Sequence, residues 1–412
     1  MLAIALGGGL VAVGAKAKGK RRKHPRYPTE IRPYQRKTYP DHGLRDEMTS
    51  LGRKARGFYL TPYYHYKVGP EAASRVMKRA RMNAVVIDVK DDWGNVLWPS
   101  KVPLAQKVRR SHMIKDPRAA VQAFHRAGIY VIARIVCFKD SRLPHVRPDL
   151  SVRFSFRPTR LFNAGAGWID QYSAEVQDYI TDLALEWQSY GVDEVQLDYI
   201  RFPKGKTGTL GLWLHKKDDS PTRAKLIAGF LDRVDRALKI PLSVDIYGLT
   251  TLVDGDPRKL GQTVEGMATY VEAISPMLYA NGMTSYFKGG KLNEGIYGLI
   301  QCGIWRARLK APQIVLRPFI QAYPNSVPFF DEAFIQKQVL SAEKAGADGF
   351  LFWNSTMKNG VAFRGLRRLP KQVFTRFETR PGTADRHPPE RPGAWCKKPG
   401  EGDVFARRRP AN

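Results

Sequence analysis

Gly191-Val192-Asp193-Glu194-Val195-Gln196-Leu197-Asp198-Tyr199-Ile200-Arg201-Phe202-Pro203 is the stretch whose reading decides the fold. Gly191 closes a long helical pattern. Val195 and Leu197 alternate with polar residues as a short strand does. Asp198 stands at the end of that strand beside Tyr199, Arg201 and Phe202, and Pro203 cannot continue a sheet ladder. A strand ending in an acid, an arginine and aromatics is how an α/β barrel builds its active site. A single Asp in this setting would ordinarily open a surface turn, so the rest of the chain has to decide.

Upstream, Gly57–Thr61 reads as a short apolar strand, and Pro70 opens a helix through Ala80 that Asn83 can end in a left-handed conformation. Ala84–Val89 is a continuous apolar run, as in a parallel strand covered on both faces. Asp116-Pro117 and Ser220-Pro221 are N-cap plus Pro signals, and Ser173 opens a third helix. Ile129–Cys137, Glu194–Tyr199, Leu242–Ile246, Val271–Met277, Gln313–Ile320 and Asp348–Trp353 read as further strands. Helices are expected over Glu294–Arg308 and from Asp331 to Gly346. A helix-Gly-strand junction recurs at Gly128, Gly191 and Gly346. Eight strands alternating with helices over about 300 residues call for a parallel sheet closed into a (β/α)8 TIM barrel. No Gly-x-Gly-x-x-Gly follows the first strand, which argues against a dinucleotide fold.

Outside that span the composition changes. Of the net charge of +30, residues 1–56 contribute 14 Lys/Arg against 4 Asp/Glu, and residues 364–412 contribute 13 against 5. Residues 1–56 read as an apolar stretch followed by a basic linker. Residues 57–363 read as the barrel, and 364–412 as a basic, Pro-rich extension with one last helix reaching Arg376. Both tails are expected to be poorly ordered. They suit contact with an anionic polymer, but no aromatic-studded RNA motif or zinc module accompanies them, which argues against nucleic acid. Leu2–Ala15 is too short for a membrane span, and no other stretch is long enough. Its basic residues follow the apolar run instead of preceding it as in a secretory signal. It fits the remainder of a signal or a weak anchor, and an exported or envelope location is favoured over a cytoplasmic one. Cys137, Cys302 and Cys396 are too few and scattered for a disulfide framework or a zinc site, and Cys137 and Cys302 read as core residues.

The C-terminal strand ends hold a consistent inventory. The first gives Thr61, Tyr63, Tyr64 and His65, and the second Asp88, Lys90, Asp91, Asp92 and Trp93. The third carries Arg134 with Lys139 and Asp140 after it, and the fourth Asp198, Tyr199 and Arg201. The fifth gives Asp245 and Tyr247, the sixth Ser275, Met277 and Tyr279, the seventh Arg317 and Gln321, and the eighth Trp353 and Asn354. Glycosidic hydrolysis needs such a set: one protonated carboxyl as acid, one carboxylate as nucleophile or base, and aromatic faces for sugar rings. The alternatives are a solvated turn or a structural pair with Lys90 or Arg134 for Asp88, Asp91 and Asp92, a polar rim position for His65, and barrel packing for Trp353. Asp198 and Asp245 lie in otherwise apolar strands, where an unpaired charge is costly, although an ion pair with Arg134 or Arg201 competes. The Asp-x-x-Asp-Asp cluster offers an alternative metal site, but the sequence lacks His-x-His or His-Glu-x-x-His spacing, and no metal or cofactor is expected.

Asn83-Ala84-Val85-Val86-Ile87-Asp88-Val89-Lys90-Asp91-Asp92-Trp93-Gly94 resembles the signature of a bacterial glycoside hydrolase family with a TIM-barrel fold, related to the α-amylase-like barrels. Gly128–Asp140, Asp193–Pro203, Ile274–Tyr279 and Gly349–Asn354 resemble its third, fourth, sixth and eighth strands, so the resemblance spans Arg56 to Asn354 in order. It implies that Asp198 inherits the role of the fourth-strand nucleophile. The related barrels carry a Glu acid/base on the fifth strand, where this chain has Asp245. The expectation is a glycoside hydrolase acting on a polysaccharide, with Asp198 and Asp245 catalytic and Asp88, Asp91, Arg134, Arg201, Tyr247, Tyr279 and Trp353 lining sugar subsites. The alternative from another class is a non-catalytic barrel that binds an envelope glycan.

Overall fold

The computed structural model describes two short paired strands at Thr38–Tyr39 and Gly43–Leu44, and residues 47–401 apart from 109–112, 162–166, 205–210, 216–219, 257–258, 281–291, 328 and 381–388. The apolar stretch Leu2–Ala15, the basic residues after it and the last basic residues beyond 401 lie outside the described residues.

Eight parallel strands close into a barrel. They are β1 Arg56–Leu60, β2 Ala84–Lys90, β3 Tyr130–Val136, β4 Glu194–Asp198, β5 Leu242–Tyr247, β6 Ala273–Met277, β7 in two pieces (Val315–Leu316 and Phe319–Gln321), and β8 Phe350–Trp353. Each pairs with its sequence neighbour, and β8 pairs with β1 through Phe350 and Arg56, which closes the ring. The break in β7 falls at Arg317-Pro318, where proline removes a ladder donor. Helices fill the intervals: α1 Pro62–Arg79, α2 Pro117–Arg126, α3 Ala174–Ser189, α4 Ser220–Ala237, α5 Val264–Ala268, α6 Leu292–Lys310, α7 Glu332–Lys344, α8 Gly360–Arg368 and α9 Lys371–Glu378. The expected fold class holds.

The caps read from sequence do their work. Asp116 accepts from the Ala119 amide at 2.9 Å, and Ser173 caps α3 through Val176 at 3.4 Å. Gly191 and its counterparts after α2 and α7 take positive φ (68–91°), which reverses the chain from each helix into the next strand. The expected left-handed stop at Asn83 is a correction: Arg81 takes positive φ (57°). Asn83 instead joins two strand beginnings, its Oδ1 accepting from the Arg56 amide at 2.7 Å and its Nδ2 donating to the Lys54 carbonyl at 3.3 Å.

Two apolar zones follow from the strands' period of two. Outward residues such as Val85, Ile87, Val131 and Val195 pack under the helices, while Val86, Ile132, Phe319 and Leu351 fill the barrel. The barrel's lower end holds a buried ion pair. Arg317 donates to Glu194 (Nη1···Oε2 3.0 Å), Tyr130 adds a bond to the same oxygen at 3.1 Å, and Arg317 also donates to the Gly52 carbonyl at 2.9 Å. Arg317 therefore belongs to the floor, not the mouth. The sequence missed this because a register assigns a residue to a strand's inner face without saying at which depth its side chain finds a partner.

Described parts of both flanks add to the barrel. The chain before Gly57 contributes the helix Ser50–Arg53, which covers the floor. Beyond Arg364, α8 and α9 pack on the barrel, with Phe377 against Phe350. Residues 389–401 lie along α6: Trp305 donates to the Pro389 carbonyl at 2.8 Å, and Arg306 donates to the Lys397 carbonyl. Cys302 and Cys396 form a disulfide with Cα atoms 5.7 Å apart. This corrects the reading of Cys302 as a plain core residue. Two cysteines separated by 94 residues give no local signal, and only the fold brings them together. Cys137 is free and buried, as expected.

Candidate active site

Four strands deliver inward side chains to one point near the C-terminal mouth. Asp88 on β2 lies beside Arg134 on β3 in direct register. Along β4, alternate residues Glu194, Gln196 and Asp198 climb from floor to mouth, and Asp245 takes the same inward line on β5 above Ser243. All four mouth residues are buried, at 1–3% exposure.

Arg134 is the hub. Its Nε donates to Asp198 Oδ2 at 3.1 Å and Nη2 donates to the same oxygen. Nη1 donates to Asp88 Oδ1. Its Nε also stands 3.8 Å from Asp245 Oδ2. Burial alone would pull the guanidinium down, but the three aspartates hold it well above its usual value. Asp88 is completed by the Tyr59 hydroxyl, which donates to Oδ2 at 2.5 Å. Burial pushes the Asp88 carboxyl up to about 6 against the opposing pull of Arg134. Asp245 is the exception. Its Oδ1 is buried without a hydrogen-bond partner, and burial, then the neighbouring Asp198, push its carboxyl well above the carboxylate range. The two aspartates thus differ in their surroundings: Asp198 is tied to the Arg134 guanidinium, while Asp245 is buried with one oxygen lacking a partner.

Aromatic rings wall this point. Trp353 stacks on Tyr59 with centroids 4.1 Å apart, and the Arg134 guanidinium lies over both rings, at 5.1 and 5.5 Å. Tyr279 is half-buried at the rim, edge-on to Tyr323 at 6.2 Å. Tyr199 follows Asp198 with positive φ (50°), and its amide donates to Asp198 Oδ1 at 2.5 Å. A non-glycine residue in this conformation is held there by its surroundings. Arg201 lies over Tyr199 and Trp168, and Lys204 lies over Tyr247.

The structure thus gathers Asp88, Arg134, Asp198, Asp245 and Trp353, and sets Arg201, Tyr247 and Tyr279 around them. Asp91 stands apart. Its Oδ1 accepts from the amides of Trp93 (3.0 Å) and Asn95 (2.8 Å), which closes its own turn. Asp92 pairs with Lys139 at 2.7 Å, while Lys90 and Asp140 form a fully buried pair at 2.9 Å. His65 corrects the rim reading: it is buried over Phe124, and burial lowers it to about 4. Tyr59 is the residue the sequence reading passed over. Alternation along β1 carried the signal, since Tyr59 is the last inward position before Thr61. Among the described residues, no group of three or more His, Cys, Asp and Glu side chains is arranged to hold a metal ion.

A closed (β/α)8 barrel with carboxylates and aromatics converging at its C-terminal mouth places a candidate active site where barrels of this fold carry theirs. Residues 57–359 match the family model described as "Putative glycosyl hydrolase domain", and the chain belongs to that family. Membership puts it among the glycoside hydrolases, as the sequence resemblance implied. Solved structures agree in fold. The glycoside hydrolase domain of PgaB (BpsB) from Bordetella bronchiseptica is 13% identical, with TM-score 0.54, covering 76% of this chain and 98% of that one. The α-L-fucosidase isoenzyme 2 from Paenibacillus thiaminolyticus is 12% identical, with TM-score 0.50, covering 79% of this chain and 48% of that one. No curated protein sequence matches the chain. Among the described residues, no helix is long and apolar enough to cross a membrane.

Proposed function

We propose that this chain cleaves a glycosidic bond of a polysaccharide or oligosaccharide, with Asp245 as general acid and Asp198 as nucleophile. The observation that carries the reading is the contrast between the two carboxyls. Asp198 is paired with Arg134, whereas Asp245 is buried, has one oxygen without a partner and is pushed far up. In the first step, Asp245 gives its proton to the leaving glycosidic oxygen as that bond breaks, and Asp198 Oδ1 or Oδ2 bonds to the anomeric carbon. In the second, water displaces Asp198 while Asp245 takes the water's proton. The two Oδ2 atoms share contact with one nitrogen at 3.1 and 3.8 Å. That proximity favours the retaining spacing of about 5–5.5 Å over the inverting one of about 6.5–9.5 Å. Trp353, half-buried and stacked on Tyr59, offers the apolar face for the sugar ring.

The basic flanks carry positive charge suited to an anionic polymer, and the Cys302–Cys396 disulfide suits an exported or envelope enzyme. The test is a panel of polysaccharides assayed with wild type, Asp198→Asn and Asp245→Asn, with product anomers read by NMR. Cleavage lost in both variants is the expected result. A glycan that is bound but never cleaved by wild type, with neither substitution changing binding, would overturn the hydrolase reading in favour of a binding barrel.

A further inference from the structure

Two buried or half-buried arginines near the mouth are treated differently by the fold. Arg134 has three aspartates around it. Arg201, three residues after Asp198 in sequence, donates from Nη1 to the Phe202 carbonyl at 3.0 Å, and among the described residues no carboxylate pairs with it. Its guanidinium lies over the rings of Tyr199 at 5.0 Å and Trp168 at 5.1 Å. Burial lowers it below the usual arginine value, the opposite of what the aspartates do to Arg134. Dehydrating a cation with no carboxylate in direct contact is costly, Asp198 acting on Arg201 only from a distance, and the remaining N–H donors form a planar fork suited to a carboxylate or sulfate.

Two lysines stand on the same side, of which Lys139 is already paired with Asp92. Lys139 lies over the other partner ring, Tyr199, at 4.8 Å, and Lys204 lies over Tyr247 at 5.5 Å. Tyr199 and Tyr247 directly follow or end the strands that carry Asp198 and Asp245. The rim on this side therefore presents cations seated on aromatic faces, an arrangement that fits a sugar ring bearing a negative group.

We infer that Arg201, on its Tyr199–Trp168 platform, forms a subsite for an anionic sugar next to the cleavage point, so that the substrate is an acidic glycan carrying a carboxylate or a sulfate ester. The inference rests on the hydrolase reading for the place of cleavage, but binding tests it independently. A bidentate charge-assisted contact predicts roughly ten- to hundredfold tighter binding than to a neutral equivalent.

The experiment uses the full chain carrying Asp245→Asn, which blocks turnover, with and without Arg201→Gln. Affinity is measured at physiological salt for polygalacturonate and alginate, for their carboxyl-reduced counterparts, and for a sulfated galactan. The expected result is preference for an acidic polymer over its reduced form, lost in the Arg201→Gln protein. Preference confined to the sulfated polymer identifies the anion as a sulfate ester. Any affinity supplied by the basic flanks is common to both proteins and drops out of the comparison. Equal binding of acidic and reduced polymers, no binding of any acidic polymer, or acidic binding untouched by Arg201→Gln overturns the inference. Arg201-dependent binding without cleavage by wild type removes only the hydrolase reading; cleavage of neutral glycans alone removes only this one.

Discussion

Arg134 Nε donates to Asp198 Oδ2 at 3.1 Å, between the third and fourth strands of the barrel, with both side chains almost fully buried. A guanidinium fixed in this way is also the partner of Asp88 and the nearest cation to Asp245. Replacing it strands several buried carboxyls at once. Arg134→Met should cost roughly 3–5 kcal/mol of stability, read by urea unfolding. A loss below about 1 kcal/mol would mean that the network does not act as a charge unit.

The two proposed catalytic aspartates should separate when stability and activity are measured together. Burial and Asp198 push the Asp245 carboxyl up toward its neutral form, so Asp245→Asn, close to isosteric with that form, should leave Tm nearly unchanged. Asp198→Asn leaves Arg134 short of a counter-charge and should lower Tm by several degrees. Both should reduce kcat by roughly 100-fold or more. Equal Tm shifts would contradict the different charge states assigned to the pair.

Tyr59 touches the site by a 2.5 Å hydrogen bond to Asp88, through its stack on Trp353 and through the Arg134 guanidinium over its ring. Tyr59→Phe keeps the stack and removes the bond. A loss of about 1.5–3 kcal/mol is expected for a bond to a charged group, with kcat falling more than KM changes. An unaltered enzyme would reduce Tyr59 to packing.

The disulfide closes a loop of 94 residues over the last two strands and their helices. In the chain-entropy model, such a loop is worth about 4–5 kcal/mol. Cys396→Ser should lower Tm, and dithiothreitol should lower the wild-type Tm but not that of the variant. A wild type indifferent to reductant would show that residues 389–401 are held by Trp305 and Arg306 contacts alone.

His65 and Asp88 make opposite contributions to stability in acid. Burial lowers His65 from 6.5 to about 4, so the folded state binds fewer protons than the unfolded chain; the stability it contributes is complete above about 6.5 and lost as pH falls toward 4. Burial raises Asp88 from 3.8 to about 6, so the folded state binds more protons, and stability falls as pH rises through that window. His65→Leu should flatten the loss of Tm on acidification between pH 6.5 and 4, and Asp88→Asn should steepen it. The reverse pattern would refute both assignments.

The barrel was legible because its signals are local and repeated. Asp116 and Ser173 cap their helices, Gly191 and its counterparts turn the chain, and apolar runs such as Ala84–Val89 can only be strands covered on both faces. Asp198 and Asp245 were legible because a carboxyl at an inward position of an apolar strand is conspicuous. The disulfide was not legible, nor were the depth of Arg317, the burial of His65 or the part of Tyr59, because each depends on a partner far away in sequence.

By itself, the sequence determined eight βα units and which side chains end their strands, since period, capping and turn chemistry are properties of neighbouring residues. Closure of the sheet decided the rest. It brought β8 onto β1, gathered four strand ends around Arg134, pushed the buried Asp245 carboxyl up beside Asp198, and left Arg201 with no carboxylate paired to it among the described residues. Charge state is set by what surrounds a group in three dimensions, and only the tertiary structure supplies those surroundings.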